Sequence, residues 1–185
     1  MRKLRHFIYL ILLIALDQYT KYFAITRLKK EPISVIPKVF KLLYHENTGA
    51  VWGILSNQTG LLAIFSSIIM IVMIYFYFKI PNQKKYNYLR IILVFITAGA
   101  IGNLIDRIFR KFVVDFLYIE LIDFPIFNVA DCYVTISSVL LILLFLFYYK
   151  DEDFDFIGKK KKEDVNVLDG NKNEWDHRFI CWKRR

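Results

Sequence analysis

Four long apolar runs divide this chain: Phe7 to Ala24, Leu61 to Phe78, Leu89 to Ile108 and Val129 to Tyr149, with polar residues collected in the segments between them. Each approaches the roughly 20 residues that a helix needs to cross a hydrocarbon core of about 30 Å. The pattern predicts an all-α polytopic membrane protein with four transmembrane helices in residues 1–150. The segment from Thr26 to Gly60 is long and varied in composition, so it is expected to fold outside the membrane. Pro32 and Pro37 break any helix there, and Val39 to Tyr44 has the β-branched and aromatic content of a short strand. Asn47-Thr48-Gly49 then signals a turn, and Ala50-Val51-Trp52-Gly53-Ile54 leads back to the bilayer with Trp52 at interfacial depth. Ile80 to Tyr88 is a short polar connection. Beyond Lys150, acidic and basic blocks alternate without a sustained period, so residues 151–185 are expected to form a polar, flexible cytoplasmic tail. The chain shows no internal repeat.

Composition adds direction to this picture. Of 185 residues, 56% are hydrophobic, and the charges gather in runs that bracket the helices. Arg2, Lys3, Arg5, Lys79, Lys84, Lys85, Arg90 and the basic tail all fall on one side of a four-span topology. The positive-inside rule makes that side cytoplasmic, with both termini there. Arg27, Lys29, Lys30, Lys38, Lys41, Arg110 and Lys111 lie opposite and weaken the bias. Basic residues before an apolar run also describe a signal peptide, but this run contains Asp17 and Lys21, and Ala24-Ile25-Thr26-Arg27 lacks a small-residue cleavage pattern. It is expected to be a retained first helix. The formal net charge of +9 is explained by attraction to anionic membrane lipid, since no soluble basic domain exists to bind nucleic acid. Cys132 and Cys181 provide no disulfide framework, falling on opposite sides of the membrane.

Several polar residues interrupt the apolar runs. Asp17 lies about 15 Å into the first helix, one turn from Lys21 on the same face, which is the spacing of an internal ion pair. A carboxylate matched to an ammonium is a poor proton acceptor, so this pair is expected to be structural. At the outer end of the third helix, Gly99 and Gly102 form a small-residue surface on which another helix can approach Asn103. Asp106 and Arg107 follow at the hydrocarbon edge, where they either brace the helix end or meet a substrate. Asn128 and Asp131 fit an N-cap with an acid at the third helical position. Asp115 stands in the apolar run Phe112-Val113-Val114-Asp115-Phe116-Leu117, read as a loop with no helix terminus to serve. The chain between Asp115 and Asp131 leaves and returns to one membrane face, so these two carboxylates can converge.

Two carboxylates in a poorly solvated site do not both ionise easily; one keeps its proton while the other takes one from water. That arrangement hydrolyses amides with neither metal nor cofactor nor covalent intermediate. His45 and Cys132 are the alternative base and nucleophile, but neither has a partner in sequence that would activate it.

Taken together, Asp17-Gln18-Tyr19-Thr20-Lys21, Asn47-Thr48-Gly49-Ala50-Val51-Trp52-Gly53, Gly102-Asn103-Leu104-Ile105-Asp106-Arg107, Val113-Val114-Asp115-Phe116 and Phe127-Asn128-Val129-Ala130-Asp131 resemble, in order and spacing, the lipoprotein signal peptidases, the type II signal peptidases of bacteria. The resemblance spans about residues 5 to 150. It implies a four-helix aspartic peptidase of the bacterial cytoplasmic membrane, with a small extracytoplasmic β-cradle and its active site near that face. Its partners would be membrane lipid and a lipidated prolipoprotein, cut on the amino side of the diacylglyceryl-modified cysteine; a monomer is favoured. Asp115 and Asp131 match the family's catalytic pair. Asn47, Gly49, Asn103, Asp106, Arg107, Asn128 and Ala130 match its substrate-binding or supporting positions, and Asp17 and Lys21 a structural motif. The segment from Thr26 to Gly60 would clamp over the site. One departure is that Arg110-Lys111-Phe112 stands where the family usually has a glycine, which puts the conformation of that turn in question.

Two other classes make different predictions. A proton-coupled transporter would also bury Asp17, Asn103 and Asp106, but it accounts for neither Asp115 nor Asp131, and the chain lacks inverted repeats. A membrane scaffold would tolerate asparagine at either aspartate.

Overall fold

The computed structural model describes residues 2–49 and 58–157. Four helices dominate: α1 (Arg2–Phe23), extended by a π-helical turn at Ala24–Leu28, α2 (Thr59–Lys79), α3 (Asn87–Phe109) and α4 (Val129–Phe147). All four are long and apolar enough to cross a membrane. Three strands complete the unit: β1 (Ile33–Ile36), β2 (Phe40–Asn47) and β3 (Val113–Ile119), forming an antiparallel sheet in the order β1-β2-β3. Contacts divide the chain into Met1–Tyr149 and Lys150–Arg185. Among the described residues of the second unit there is one 3₁₀ turn, Asp151–Phe154. Trp52, Cys181 and residues 158–185 lie outside the described residues.

α3 is the central helix. It packs against α1, α2 and α4, and much of its length is buried, whereas α2 buries no residue. The outer faces of α1, α2 and α4 carry exposed Phe7, Leu12, Ile64, Ile71, Leu140 and Phe147, a belt that matches lipid as its solvent. Helices gain little by hydrophobicity inside lipid, so close backbone approach and polar contacts hold them together. At Gly99 an added Cβ would lie 2.5 Å from the Ala130 carbonyl oxygen, and at Gly102 it would collide with the Asp17 carboxylate. These glycines let α4 and α1 reach the face of α3 that carries Asn103 and Asp106.

The sheet is anchored on the π-turn. Ala24 and Leu28 bury Val114 and Phe116 of β3, with Leu42, Tyr44 and Val129 packed around them. Because side chains alternate along a strand, fixing Val114 and Phe116 in this core turns Val113 and Asp115 the other way, toward a cavity. Asp115 is therefore a strand residue, where a loop was expected. The β-branched and aromatic residues around it suffice for a strand once β2 offers a partner. The expected strand at Val39 to Tyr44 extends to Asn47, and β1 lies between the two prolines, paired to β2 through Ile33–Leu42 and Ser34–Lys41. One extra residue in β2 between Leu42 and His45 shifts the register so that His45 faces Asp115 and Asn47 faces Val113.

Candidate active site

Two side-chain clusters meet at the end of the helices nearest the sheet. The first is a buried ion network. Lys21 Nζ lies 3.0 Å from Asp17 Oδ2 and 3.0 Å from Asp106 Oδ2, and none of the three side chains is exposed. Asp106 also pairs with Arg110, one helical turn along α3. Gln18 Nε2 donates to the Gly102 carbonyl at 3.1 Å, and its Oε1 accepts from Arg110 at 3.2 Å. Two carboxylates and two cations thus balance within one network. Its remaining acceptors hold backbone: the Val114 N–H donates to Asp106 Oδ2 at 3.1 Å, and the Ala130 N–H to Asp17 Oδ1 at 3.0 Å. Val114 and Ala130 are the residues immediately before Asp115 and Asp131.

The second cluster contains those aspartates. Phe127 pairs with β3, its N–H donating to the Leu117 carbonyl at 3.0 Å and its carbonyl accepting from the Leu117 N–H at 2.8 Å. This brings Asn128, the N-cap of α4, beside Asp115. Asn128 Oδ1 accepts from the Asp131 N–H at 3.0 Å, and Asp131 Oδ2 accepts from the Asn128 N–H at 3.0 Å, a reciprocal capping box. Asn128 Nδ2 then donates to Asp115 Oδ1 at 2.6 Å. The capping reading of Asp131 and the convergence of the carboxylates are thus one arrangement. Asn47 Nδ2 donates to Asp115 Oδ2 at 2.8 Å, and Asn103 Nδ2 to Asp131 Oδ1 at 2.8 Å. Asn47 Oδ1 accepts from the Gly49 N–H at 2.9 Å, which fixes both that amide and the turn.

Among the described residues no ion pair reaches either aspartate, and their hydrogen-bond partners are amides. Burial, reinforced by the nearby Asp131 charge, pushes the Asp115 carboxyl up to about 7, against the hydrogen bonds from Asn47 and Asn128. Asp115 is 1% exposed, and both aspartates line a cavity of about 980 Å³. Its lining combines polar Asn47, Asn103 and Arg107 with apolar Ile69, Ile96 and Val134 of α2, α3 and α4. A cleft with a few convergent polar groups and an apolar remainder suits a ligand that is part polar, part hydrocarbon.

The remaining residues fall into place around these clusters. Of the two readings of Asp106 and Arg107, Asp106 belongs to the brace, whereas Arg107 turns to the cavity, where its Nη1 donates to Ser66 Oγ of α2 at 3.4 Å. Ala130 is fully buried and supplies a backbone donor. His45 is an exposed residue of β2 on the cavity rim, and Cys132 is a free, half-buried thiol. Among the described residues, no three His, Cys, Asp or Glu side chains gather as a metal site. Sequence reasoning missed Arg110 and Gln18. The four-residue spacing of Asp106 and Arg110 was the available signal for the first. Lys111, where the resemblance leads one to expect a glycine, has φ 68°, a left-handed conformation that its side chain strains.

Comparison with known proteins agrees with this architecture. The family described as Signal peptidase (SPase) II matches residues 9–147. A lipoprotein signal peptidase of Streptococcus thermophilus (strain CNRZ 1066) is 36% identical over 154 residues, covering 83% of this chain and 97% of that protein. One from Staphylococcus aureus (strain JH9) is 39% identical over 156 residues, covering 83% and 90%. Among solved structures, a bacterial membrane enzyme determined by the in meso method at 2.3 Å resolution superposes with a TM-score of 0.69 at 33% identity, covering 87% of this chain and 94% of that one. A second, at 1.9 Å, gives 0.67 at 34% identity over 78% and 94%. With four apolar helices, a three-stranded sheet and a family match across nearly the whole helical unit, the chain belongs to the signal peptidase II family of multi-pass bacterial membrane peptidases.

Proposed function

We propose that this peptidase removes signal peptides from prolipoproteins by aspartic catalysis, with Asp115 and Asp131 activating water. The observation that carries the reading is the joint hold of Asn128 on both carboxylates, which line the cavity. Asp115, buried and holding its proton up to about pH 7, donates a hydrogen bond to the scissile carbonyl. Asp131, at the positive end of α4, takes a proton from the attacking water. The water oxygen bonds to the carbonyl carbon, forming a tetrahedral intermediate. Its collapse breaks the C–N bond as the leaving nitrogen receives the proton, which frees the amino group of the lipidated cysteine. Arg107, Asn47 and Asn103 orient the substrate and the carboxylates around this step.

The cut falls on the amino side of the diacylglyceryl cysteine. The apolar part of the cavity, between α2, α3 and α4, suits a substrate that stays in the bilayer and arrives by lateral diffusion. The same reading places the sheet and the site at the extracytoplasmic face and both termini in the cytoplasm. The test is cleavage of a lipidated prolipoprotein by purified enzyme in detergent, followed as a gel shift. Asp115→Asn and Asp131→Asn are each expected to abolish the shift while the protein still folds, and a chelator is expected to leave it unchanged. Cleavage retained by both variants would overturn the mechanism.

A further inference from the structure

α2 buries no residue, yet one of its two serines reaches into the site. Ser67 donates to the Ala63 carbonyl at 2.8 Å and is not part of the cavity wall. Ser66 donates to the Leu62 carbonyl at 2.8 Å and does line the cavity, where its Oγ accepts from Arg107 Nη1 at 3.4 Å. A hydroxyl has one proton. With that proton engaged by Leu62, Ser66 meets the cavity as an acceptor, and it serves a guanidinium that can only donate.

Arg107 has a competing attraction. It lies one helical turn beyond Asn103 on the same face of α3, and Asn103 donates to Asp131 at 2.8 Å. Arg107, Asp115 and Asp131 line one cavity, and both carboxylates are held by amides alone. A guanidinium makes its strongest contacts with a carboxylate, and such a pair would hold the carboxylate ionised and unfit to exchange a proton. Among the described residues, however, no ion pair joins Arg107 to a carboxylate, and its hydrogen bond goes to Ser66. Arg107 has no buried unpartnered nitrogen, so the donors that Ser66 does not engage open on the cavity.

We propose that Ser66 is a positioning residue that holds Arg107 against α2 and off the pair Asp115 and Asp131. The inference rests on the aspartic reading of the site. The guanidinium is a planar, rigid fork, so anchoring one nitrogen sets the direction of the others. Arg107 is then free to meet a substrate carbonyl while the carboxylates stay unpaired. At 3.4 Å the bond is long, so its removal costs little stability; what changes is where the guanidinium points. The other charged groups near the pair do not depend on Ser66. Asp17, Lys21, Asp106 and Arg110 are paired with one another. His45 and Glu46 of β2 and Cys132 of α4 also line the cavity, and among the described residues none of them bonds to Ser66 or Arg107.

The experiment follows cleavage of a lipidated prolipoprotein by the full chain in detergent across pH, for the wild type, Ser66→Ala, Ser66→Thr and Ser67→Ala. Ser66→Ala is expected to lower kcat about tenfold and to move the upper limb of the pH profile about one unit toward acid, because a carboxyl facing a guanidinium gives up its proton sooner. Its unfolding temperature is expected to stay near that of the wild type. Ser66→Thr keeps the hydroxyl and is expected to restore both rate and profile. Ser67→Ala removes the neighbouring hydroxyl and is expected to change neither. A wild-type rate and profile in Ser66→Ala would overturn the proposal. So would a lowered rate with an unshifted profile, a clear fall in unfolding temperature, an equal loss in Ser67→Ala, or a Ser66→Thr enzyme as slow as Ser66→Ala. If Ser66→Ala is neutral while Asp115→Asn is inactive, this inference falls alone; cleavage retained by both Asp115→Asn and Asp131→Asn removes the aspartic reading beneath it.

Discussion

Four carboxylates crowd the sheet end of this bundle, and the two pairs are treated in opposite ways. Asp17 and Asp106 are matched by Lys21 and Arg110, with their remaining acceptors filled by backbone N–H groups. Asp115 and Asp131 receive amide donors from Asn47, Asn103, Asn128 and the Asn128 backbone, and they open on a cavity. The same residue type is matched by cations in one place and held only by amides in the other, which on the proposed mechanism leaves the second pair available for proton transfer. The two are also joined mechanically. The inert pair grips Val114 and Ala130, one residue before each member of the open pair, and Lys21 donates to Asn103 Oδ1 at 2.8 Å while Asn103 holds Asp131. A charge-balanced brace thus holds the backbone just before two carboxylates that, among the described residues, no cation pairs directly.

Under that division of labour, substitutions in the two clusters are expected to fail differently. The largest effect is expected on the open pair: Asp115→Asn or Asp131→Asn should cut cleavage by about 10²–10⁴-fold or more, with an unfolding temperature at or above that of the wild type. In the brace, Lys21→Met leaves two buried carboxylates without their shared ammonium. It should destabilise the protein by about 3–5 kcal/mol, read as a lower unfolding midpoint in detergent. Adding Asp17→Asn and Asp106→Asn to Lys21→Met should recover most of that stability, because the buried charges then leave together. A triple variant as unstable as Lys21→Met would break the comparison.

The pH dependence sharpens it further. The folded-state pKa of Asp115 is raised to about 7, so between about pH 4 and pH 7 the native state holds a proton that the unfolded chain has lost. Stability should therefore fall as pH rises through this window, by up to about 4 kcal/mol from this group, and level off above it. Asp115→Asn should remove that part of the slope in a pH series of unfolding midpoints. Cleavage by the wild type should decline over the same upper range as Asp115 loses its proton. The smallest effect concerns the turn linking the clusters: Lys111→Gly should stabilise the fold by about 1 kcal/mol by relieving the left-handed backbone, with cleavage unchanged.

Much of this molecule is written locally. A helix in lipid needs an unbroken apolar stretch, so the four spans are legible as runs, and their ends fall within a few residues of the helices. The Asp17–Lys21 pair is legible because helix geometry alone brings i and i+4 together. The Asn128–Asp131 cap is legible for the same kind of reason. What the tertiary structure decided is everything that depends on distant partners. Asp115 lies on a strand because β2 pairs with it, and it meets Asn128 because Phe127 bonds to Leu117 across β3. Asp106 turns to Lys21 and Arg110 while its neighbour Arg107 turns to the cavity, a choice set by which helices lie on each side of α3. Sequence by itself determined the helices and which residues carry charge in an apolar setting, since those follow from periodicity and hydration, while its ordered motifs carried the resemblance to the family. Only packing could decide which carboxylates are neutralised and which are left open, because buried charges take their character from partners brought together by the fold.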